Sequence, residues 1–337
     1  MIMPIVLTKT TAPALLLDRS TVAQLLTLDE CLRAVESAFG AHESGKCLRP
    51  QLLHVDADGG EFHIKVGGLA GTHSYFACKV NGGFFQNRAR LGLPNIVGLI
   101  LLCDGSTGAP LAVMESGLVT RLRTGAATAI AAKYLARSDS QTVTICGAGS
   151  QGESQLRALA HVLPLRRAFI WSRNGAEDLA ALMSRELSMD VRPVLELGGA
   201  TRSSDIIVTC TPSRHWFIGQ EHVSPGTFIA AVGADSPDKQ EIEPELLAAS
   251  VVVPDLLQQA VHAGDLHHAI EKGLMRAEDV RGELGAVIIH DALHRTNNHE
   301  TIVFDSTGTA LQDVAVAAAV YERAVSLGHG TPFAFWD

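Results

Sequence analysis

The chain has 337 residues, 47% of them hydrophobic and only 5% aromatic, with a formal net charge of −9. That length can bury the cores of two domains, and the composition is that of an Ala/Val/Leu/Gly-rich α/β protein. The negative charge, unrelieved by any Lys/Arg run, argues against nucleic acid and membrane surfaces as partners, and apolar runs such as 96–103 are far too short to span a bilayer.

Residues 1–17 lack a basic region and a clear cleavage site, so no signal peptide is expected. Positions 27–44 repeat Leu, Val, Ala and Phe every three to four residues and predict a helix. The segments QLLHVDA, EFHIKVGGL and YFACKVNGG alternate as strands with one wet face. IVGLILLC and APLAVME, joined by the turn-forming DGSTG, predict a β-hairpin. Thr124 can then cap a helix over GAATAIAAKYLA.

Beyond this point strands and helices alternate, with strands expected at TVTIC, AFIWS, VRPV, DIIVTC, FIAAVG, SVVVP and TIVFD. Such alternation marks a doubly wound parallel sheet. The last helix, ALQDVAVAAAVYERAVSLG, is too long and apolar for a tail and should fold back onto the first region.

TVTIC runs into GAGSQG, placing Gly147, Gly149 and Gly152 between a strand and the helical ESQLRALAHVL. The first glycine permits a tight turn and the second lets backbone approach a pyrophosphate. The third lets the helix pack on its strand, so that the helix start, with Ser150 and Gln151, faces the phosphates. In open α/β sheets ligands sit beyond the carboxyl ends of the strands, so the residues at those ends are candidates. AFIW leads to Ser172, Arg173 and Asn174, where an NAD-selective site usually carries an acid for the ribose hydroxyls. A hydroxyl, a guanidinium and an amide suit a 2′-phosphate instead, so NADP(H) is preferred over NAD(H), unless Arg173 is simply a solvated charge. The other edges carry Thr211, then Val232 and Gly233, then Ser306 and Gly308. Asp235 follows an apolar strand. It is either a turn aspartate or an acid/base in a partly desolvated cleft, whose burial would raise its pKa toward neutrality.

Cysteines 31, 47, 78, 103, 146 and 210 are scattered without a Cys-x-x-Cys pair, which suggests reduced thiols in a cytoplasmic protein. His262, His267 and His268 lie in an Ala-containing helical context without cysteines nearby, so no metal is expected.

Several motifs occur in order: CLRPQ with Arg49, CKVNGG with Lys79, GLPNIVGLILLCDGSTGAPLAVMES, RTGAATAIAAKYLA, GAGSQG, VGADSPDKQEIEPELL and FDSTGTALQDVAVA. Together they make the chain resemble the ornithine cyclodeaminase/mu-crystallin family over nearly its whole length. The resemblance implies a Rossmann domain (125–309) inserted in a second α+β domain (1–124 plus 310–337) that binds substrate and forms a homodimer. It further implies that Arg49 and Arg123 hold the α-carboxylate of a small amino or imino acid, that Lys79 is the catalytic lysine, and that Asp235 is the general acid/base. A planar guanidinium suits bidentate carboxylate binding, and a helix start at Thr124 would add positive potential to Arg123. Arg123 and Thr124 also count among the dinucleotide contacts. Asn95 stands where many relatives have a threonine, so one substrate contact differs, and a further family carboxylate maps to the neighbourhood of Glu61, near His63 and Lys65.

Three functions follow from the resemblance. The first is an NAD(P)H-dependent reductase of small imino acids, equivalently an L-amino acid dehydrogenase. The second is a cyclodeaminase that releases ammonia using tightly bound NAD. The third is a non-catalytic NADPH-dependent binder of small ligands.

Overall fold

The computed structural model describes residues 13–335, so most of the segment read for a leader lies outside the described residues. Six strands open the fold: β1 (Ala14–Leu17), β2 (Cys47–Ala57), β3 (Gly60–Leu69), β4 (Tyr75–Gly83), β5 (Ile96–Asp104) and β6 (Pro110–Glu115). Seven more follow: β7 (Thr142–Cys146), β8 (Arg167–Trp171), β9 (Asp190–Val194), β10 (Ile206–Thr209), β11 (Phe228–Ala231), β12 (Val251–Pro254) and β13 (Ile302–Asp305). A short β14 (Thr331–Phe333) returns to the edge of the first sheet. The first sheet has the order β14-β1-β6-β5-β4-β3-β2 and is antiparallel from β2 to β6. The second is wholly parallel, in the order β12-β13-β11-β10-β7-β8-β9. Reversal of direction about β7 puts a crevice at the carboxyl ends of β7 and β10, the usual ligand position in such sheets.

All seven strands expected after residue 140 form; β7, β10, β11, β12 and β13 are short apolar runs buried on both faces, as a covered parallel sheet requires. The helix expected over 27–44 forms at Leu28–Glu43. Thr27 and Glu30 close a capping box at its start.

The strands β2 to β5 have one wet face, as the alternation predicts, and it is the apolar one. Period-two spacing puts Glu61, His63 and Lys65 of β3 on one face with Lys79 and Asn81 of β4. This polar face turns inward, leaving Lys65 4% and Lys79 2% exposed. The opposite face carries a row of Leu53, Ile64, Val80 and Leu99 across four strands, and Leu53 and Leu99 are each 55% exposed. The helix Ala310–Leu327 folds back against β3 and β4.

The helix expected to start at Thr124 starts at Ser116 instead and runs to Leu135. The Glu115 carboxylate caps it, accepting hydrogen bonds from the Gly117 and Leu118 amides at 2.8 and 3.0 Å. Thr124 is therefore in mid-helix, its hydroxyl donating to the Thr120 carbonyl at 2.7 Å, and Arg123 gains no potential from a helix end. Gly125 reflects close packing: a Cβ there would come within 2.8 Å of Ser154 Oγ on the neighbouring helix.

In the glycine loop, Gly147 has φ +131°, a conformation that side chains disfavour. A Cβ on Gly152 would lie 2.0 Å from the Gly147 carbonyl oxygen. Gly152→Ala should therefore cost about 1–3 kcal/mol of stability through backbone overpacking. It should also weaken NADH binding, as read by denaturant titration and by quenching of protein fluorescence; unchanged values for both would show that the helix approaches its strand less closely.

Candidate active site

Two connected spaces run from the carboxyl edge of the second sheet to the inward face of β3 and β4. The outer, of about 180 Å³, touches Gln151, Thr211, Val232, Gly233, Ser306 and Gly308. The inner, of about 90 Å³, touches Glu61, His63, Lys79 and Asn81, while Lys65, Arg123, Asp235 and Lys239 line both. The narrowing restricts the inner end to a small molecule.

At the inner end Asp313, 1% exposed, pairs with Lys79 Nζ at 2.7 Å and with Arg123 Nε at 3.1 Å. Arg123 also donates to Gln312 Oε1 at 2.6 Å. Lys65 donates to the carbonyls of Thr307, at 3.1 Å, and Gly308. Burial lowers the pKa of Lys79 to about 7, with Asp313 opposing the shift and Arg123 and Lys65 adding to it. Burial lowers Lys65 as well, and Arg123 adds to the effect. Gly308 has φ +73°, and a Cβ there would press within 2.7 Å of Arg123 Nη1.

At the outer end Asp235 departs from expectation. Its side chain is 36% exposed and pairs with Lys239 Nζ at 2.7 Å. Burial alone would raise its pKa, but the charges of Lys239 and Lys65, with that of His63 when the ring is protonated, outweigh that effect and hold the carboxyl well below the usual range. Asp235 is thus an ionised carboxylate at rest, and Lys79 is the group poised near neutrality.

Arg49 is not brought beside Arg123. It is exposed on β2, donates to Gln258 Oε1 at 2.7 Å and lines a neighbouring cavity of about 380 Å³ with His42 and His262. The two arginines thus line different cavities. Asn95 does not line either space; its side-chain oxygen accepts from the Arg88 amide at 3.1 Å and holds the 84–95 loop.

The loops that carry the edge residues are held by buried acids that sequence reasoning missed. Buried Glu241 accepts from the Thr211 amide and hydroxyl at 2.7 and 2.6 Å and from the Gly233 amide at 2.8 Å, tying together the loops after β10 and β11. Asp255 accepts from the Thr307 hydroxyl at 2.8 Å and the Gly308 amide at 2.7 Å. Both acids are pushed upward by burial, with these hydrogen bonds opposing the shift. Ser172, Arg173 and Asn174 follow β8, where Arg173 is exposed. For a dinucleotide the fit is good: Gly149 has open space around it, and Gln151 lines the outer space with a buried amide oxygen that has no hydrogen-bond partner.

Metal-ligating types meet twice among the described residues, at His54, Glu61 and His63 and at His267, His268 and Glu271. In the second group His268 Nε2 lies 2.8 Å from the Lys239 carbonyl and His267 Nδ1 3.3 Å from that of Val261, so both rings serve backbone oxygens; His262 lies apart from them.

Residues 13–328 match the ornithine cyclodeaminase/mu-crystallin family. The chain belongs to this family. It is 38% identical to an alanine dehydrogenase of Archaeoglobus fulgidus, over 96% of this chain and 98% of that one. An archaeal alanine dehydrogenase dimer with bound NAD superposes with a TM-score of 0.89 at 37% identity, over 96% of this chain and 99% of that one. The Δ1-pyrroline-2-carboxylate reductase of Thermococcus litoralis, in complex with NADH and L-proline, gives 0.88 at 32% identity, over 94% and 99%.

Asp313 lay inside a quoted motif. Its signal was a single acid, beside Gln312, in the otherwise apolar run ALQDVAVAAAV, since a buried acid demands a cationic partner. Replacing Asp313 by Asn leaves Lys79 and Arg123 buried without their counter-charge. The expected loss is about 3–5 kcal/mol of folding stability, measurable by urea denaturation; wild-type stability would mean that the two cations find other partners.

Proposed function

We propose that the chain is an NAD(P)-dependent oxidoreductase that reduces small imino acids and, in reverse, dehydrogenates L-amino acids at the α-carbon. One observation carries this reading: Lys65, Lys79, Arg123 and Asp235 converge on a space that opens onto the dinucleotide edge of the parallel sheet. Lys65, Lys79 and Arg123 surround the single carboxylate of Asp313, and this surplus of positive charge suits the carboxylate of the substrate. The nicotinamide, when bound, supplies or takes up the hydride at the α-carbon. Held by its carboxylate, the substrate presents its nitrogen to Lys79 and Asp235, and such placement is worth roughly 7–11 kcal/mol in well-oriented reactions. Asp235 is ionised at rest and so accepts the proton of a substrate ammonium in oxidation. In reduction the proton returns to nitrogen from Asp235 or from protonated Lys79.

The cofactor preference belongs to the same proposal. The relatives hold NAD and NADH, whereas Arg173 at the end of β8, with no acid beside it at 172–174, favours a 2′-phosphate. We also propose a homodimer, supported by the exposed apolar row of Leu53, Val80 and Leu99, and a cytoplasmic setting, supported by six free thiols. A cyclodeaminase outcome draws support from Glu61, a second carboxylate in the inner space.

Oxidation of NADPH or NADH, followed at 340 nm with pyrroline-2-carboxylate, piperideine-2-carboxylate and pyruvate plus methylamine, tests the reading. Turnover is expected with at least one of them, lost about 100-fold or more in Asp235→Asn and Lys79→Met. No oxidation with any imine would refute it, and ammonia released from a diamino acid without net NADH would identify the cyclodeaminase. Arg173→Ala should weaken NADPH binding about tenfold while sparing NADH; equal effects on both would refute the 2′-phosphate contact.

The pH profile carries a sign. Lys79 titrates at about 7, below its ordinary 10.5, so the protonated form that donates in reduction is lost as pH rises through 7. Reductive kcat/KM should fall above that point and oxidative kcat/KM should rise. Profiles flat from pH 6 to 8.5 would remove Lys79 from proton transfer.

A further inference from the structure

Asp235 takes or gives a proton once per turnover, yet its partner Lys239 is buried and holds it as a carboxylate. The exposed part of Asp235, which lines both spaces, would be covered once substrate and dinucleotide fill them, so a path to solvent that survives their binding has to run through the protein. His63 Nδ1 lies 3.9 Å from Asp235 Oδ2. On its far side, His63 Nε2 lies 2.9 Å from His54 Nδ1. His54 Nε2 in turn lies 3.1 Å from Asp56 Oδ1, whose side chain is 95% exposed. His54 and His63 are direct cross-strand partners of β2 and β3, and their rings meet edge to face with centroids 4.7 Å apart.

We propose that His63 and His54 form a proton relay between the catalytic carboxylate of Asp235 and bulk solvent. The inference rests on the acid/base role proposed above for Asp235. In reduction, His54 Nε2 takes a proton from water or from Asp56, and the Nδ1 proton of His54 passes to His63 Nε2. The Nδ1 proton of His63 passes to Asp235, and Asp235 gives it to the substrate nitrogen as hydride reaches the carbon. One proton enters and one is consumed, and each ring changes tautomer and resets before the next turnover. Oxidation runs the same chain outward. The 3.9 Å step is the longest, and a ring shift of about 1 Å closes it to hydrogen-bonding distance; such contacts commonly tighten when substrate binds. Burial holds the His63 pKa below its ordinary value, with the charges of Asp235 and Glu61 opposing the shift and those of Lys65 and Lys239 adding to it, so the ring is neutral and can pass a proton on.

His54, His63 and Glu61 also offer a divalent cation two imidazoles and a carboxylate. Against that use, the Lys239 ammonium already lies 3.3 Å from Glu61 Oε1 and would face the cation across the same carboxylate.

The test uses the EDTA-treated full chain and the substrate found in the imine panel. His63→Gln and His54→Gln should lower kcat about tenfold while leaving KM and NADH affinity near wild type. Millimolar imidazole should restore kcat in both variants and do nothing for Asp235→Asn. Wild-type kcat in both variants overturns the relay while the proposed function stands. A loss of kcat that imidazole fails to restore, or that comes with lost NADH affinity, shows a structural role and overturns it as well. Loss of wild-type activity on EDTA treatment, regained with zinc, shows a metal site instead. If the wild-type chain oxidises neither NADPH nor NADH with any imine of the panel, both proposals are overturned together. Independently of turnover, imidazole ¹⁵N shifts should show His63 neutral at about pH 7; a ring doubly protonated at that pH could not take up the next proton and would sink the relay.

Discussion

A carboxylate buried between two cations organises this molecule. Asp313 is the fourth residue of the last long helix, and its partners come from β4 and from the helix Ser116–Leu135. Segments more than 180 residues apart in sequence thus meet at one charge. None of the three side chains is stable alone in an apolar interior, because an unpaired buried ion costs several kcal/mol. Their mutual need places the last helix against β3 and β4. It also brings Gly308, the residue just before that helix's N-cap, against the Arg123 guanidinium. The inner wall of the site and the docking of the helix are therefore one arrangement. Lys65 completes it from β3 by binding the carbonyls of Thr307 and Gly308, which lead out of β13.

The dinucleotide edge uses the same device with backbone donors in place of ammonium groups. Glu241, Asp255, Asp265 and Asp305 are all fully buried, and each accepts main-chain N–H groups from loops at the carboxyl ends of the strands. Asp265 holds the amides of Glu241 and Ile242, and Asp305 holds that of Leu266, so the acids brace one another in series. Burial raises the pKa of Asp305 to about 7, with its neighbours Asp255 and Glu241 adding to the rise and backbone donors opposing it. The edge is stiffened at the cost of keeping like charges close, a strain that a binding site can retain if the ligand gains from a preformed cradle.

The parallel sheet was legible in the sequence because most of its strands are short apolar runs, five of them buried on both sides, and because Gly147 and Gly152 have steric reasons in the glycine loop. The first sheet was legible in its strands but not in its orientation. Alternation in EFHIKVGGL separates Glu61, His63 and Lys65 from Phe62, Ile64 and Val66, yet period two does not say which face meets the core. Charged residues normally mark the solvent side, and here they mark the site, because Asp313 and two backbone carbonyls compensate them. The helix start at Glu115 was hidden because Thr124-Gly125 looks like a cap; the glycine instead serves the crossing of two helices, a tertiary fact. Arg49 was read from its motif alone, and its placement beside Gln258 depends on how β2 meets the second sheet.

The largest revision concerns which group holds the proton. Reasoning from burial alone makes Asp235 a raised acid, since desolvation penalises its charge. The structure supplies what a one-dimensional reading lacks: Lys239 one helical turn's spacing away in sequence, and Lys65 and His63 from another sheet. Three positive or potentially positive groups outweigh desolvation, and the acid becomes a strong carboxylate. The same crowding acts in reverse on Lys79, where Arg123 and Lys65 add to the cost of burial and bring an ammonium down to about 7. Charge in this site is thus distributed so that the carboxylate nearest solvent is ready to accept a proton while the lysine deepest in the protein can part with one. A substrate carboxylate entering the inner space would stabilise the charged form of Lys79 and shift that balance toward donation. Binding and protonation state are therefore coupled through the same cluster that holds the last helix in place.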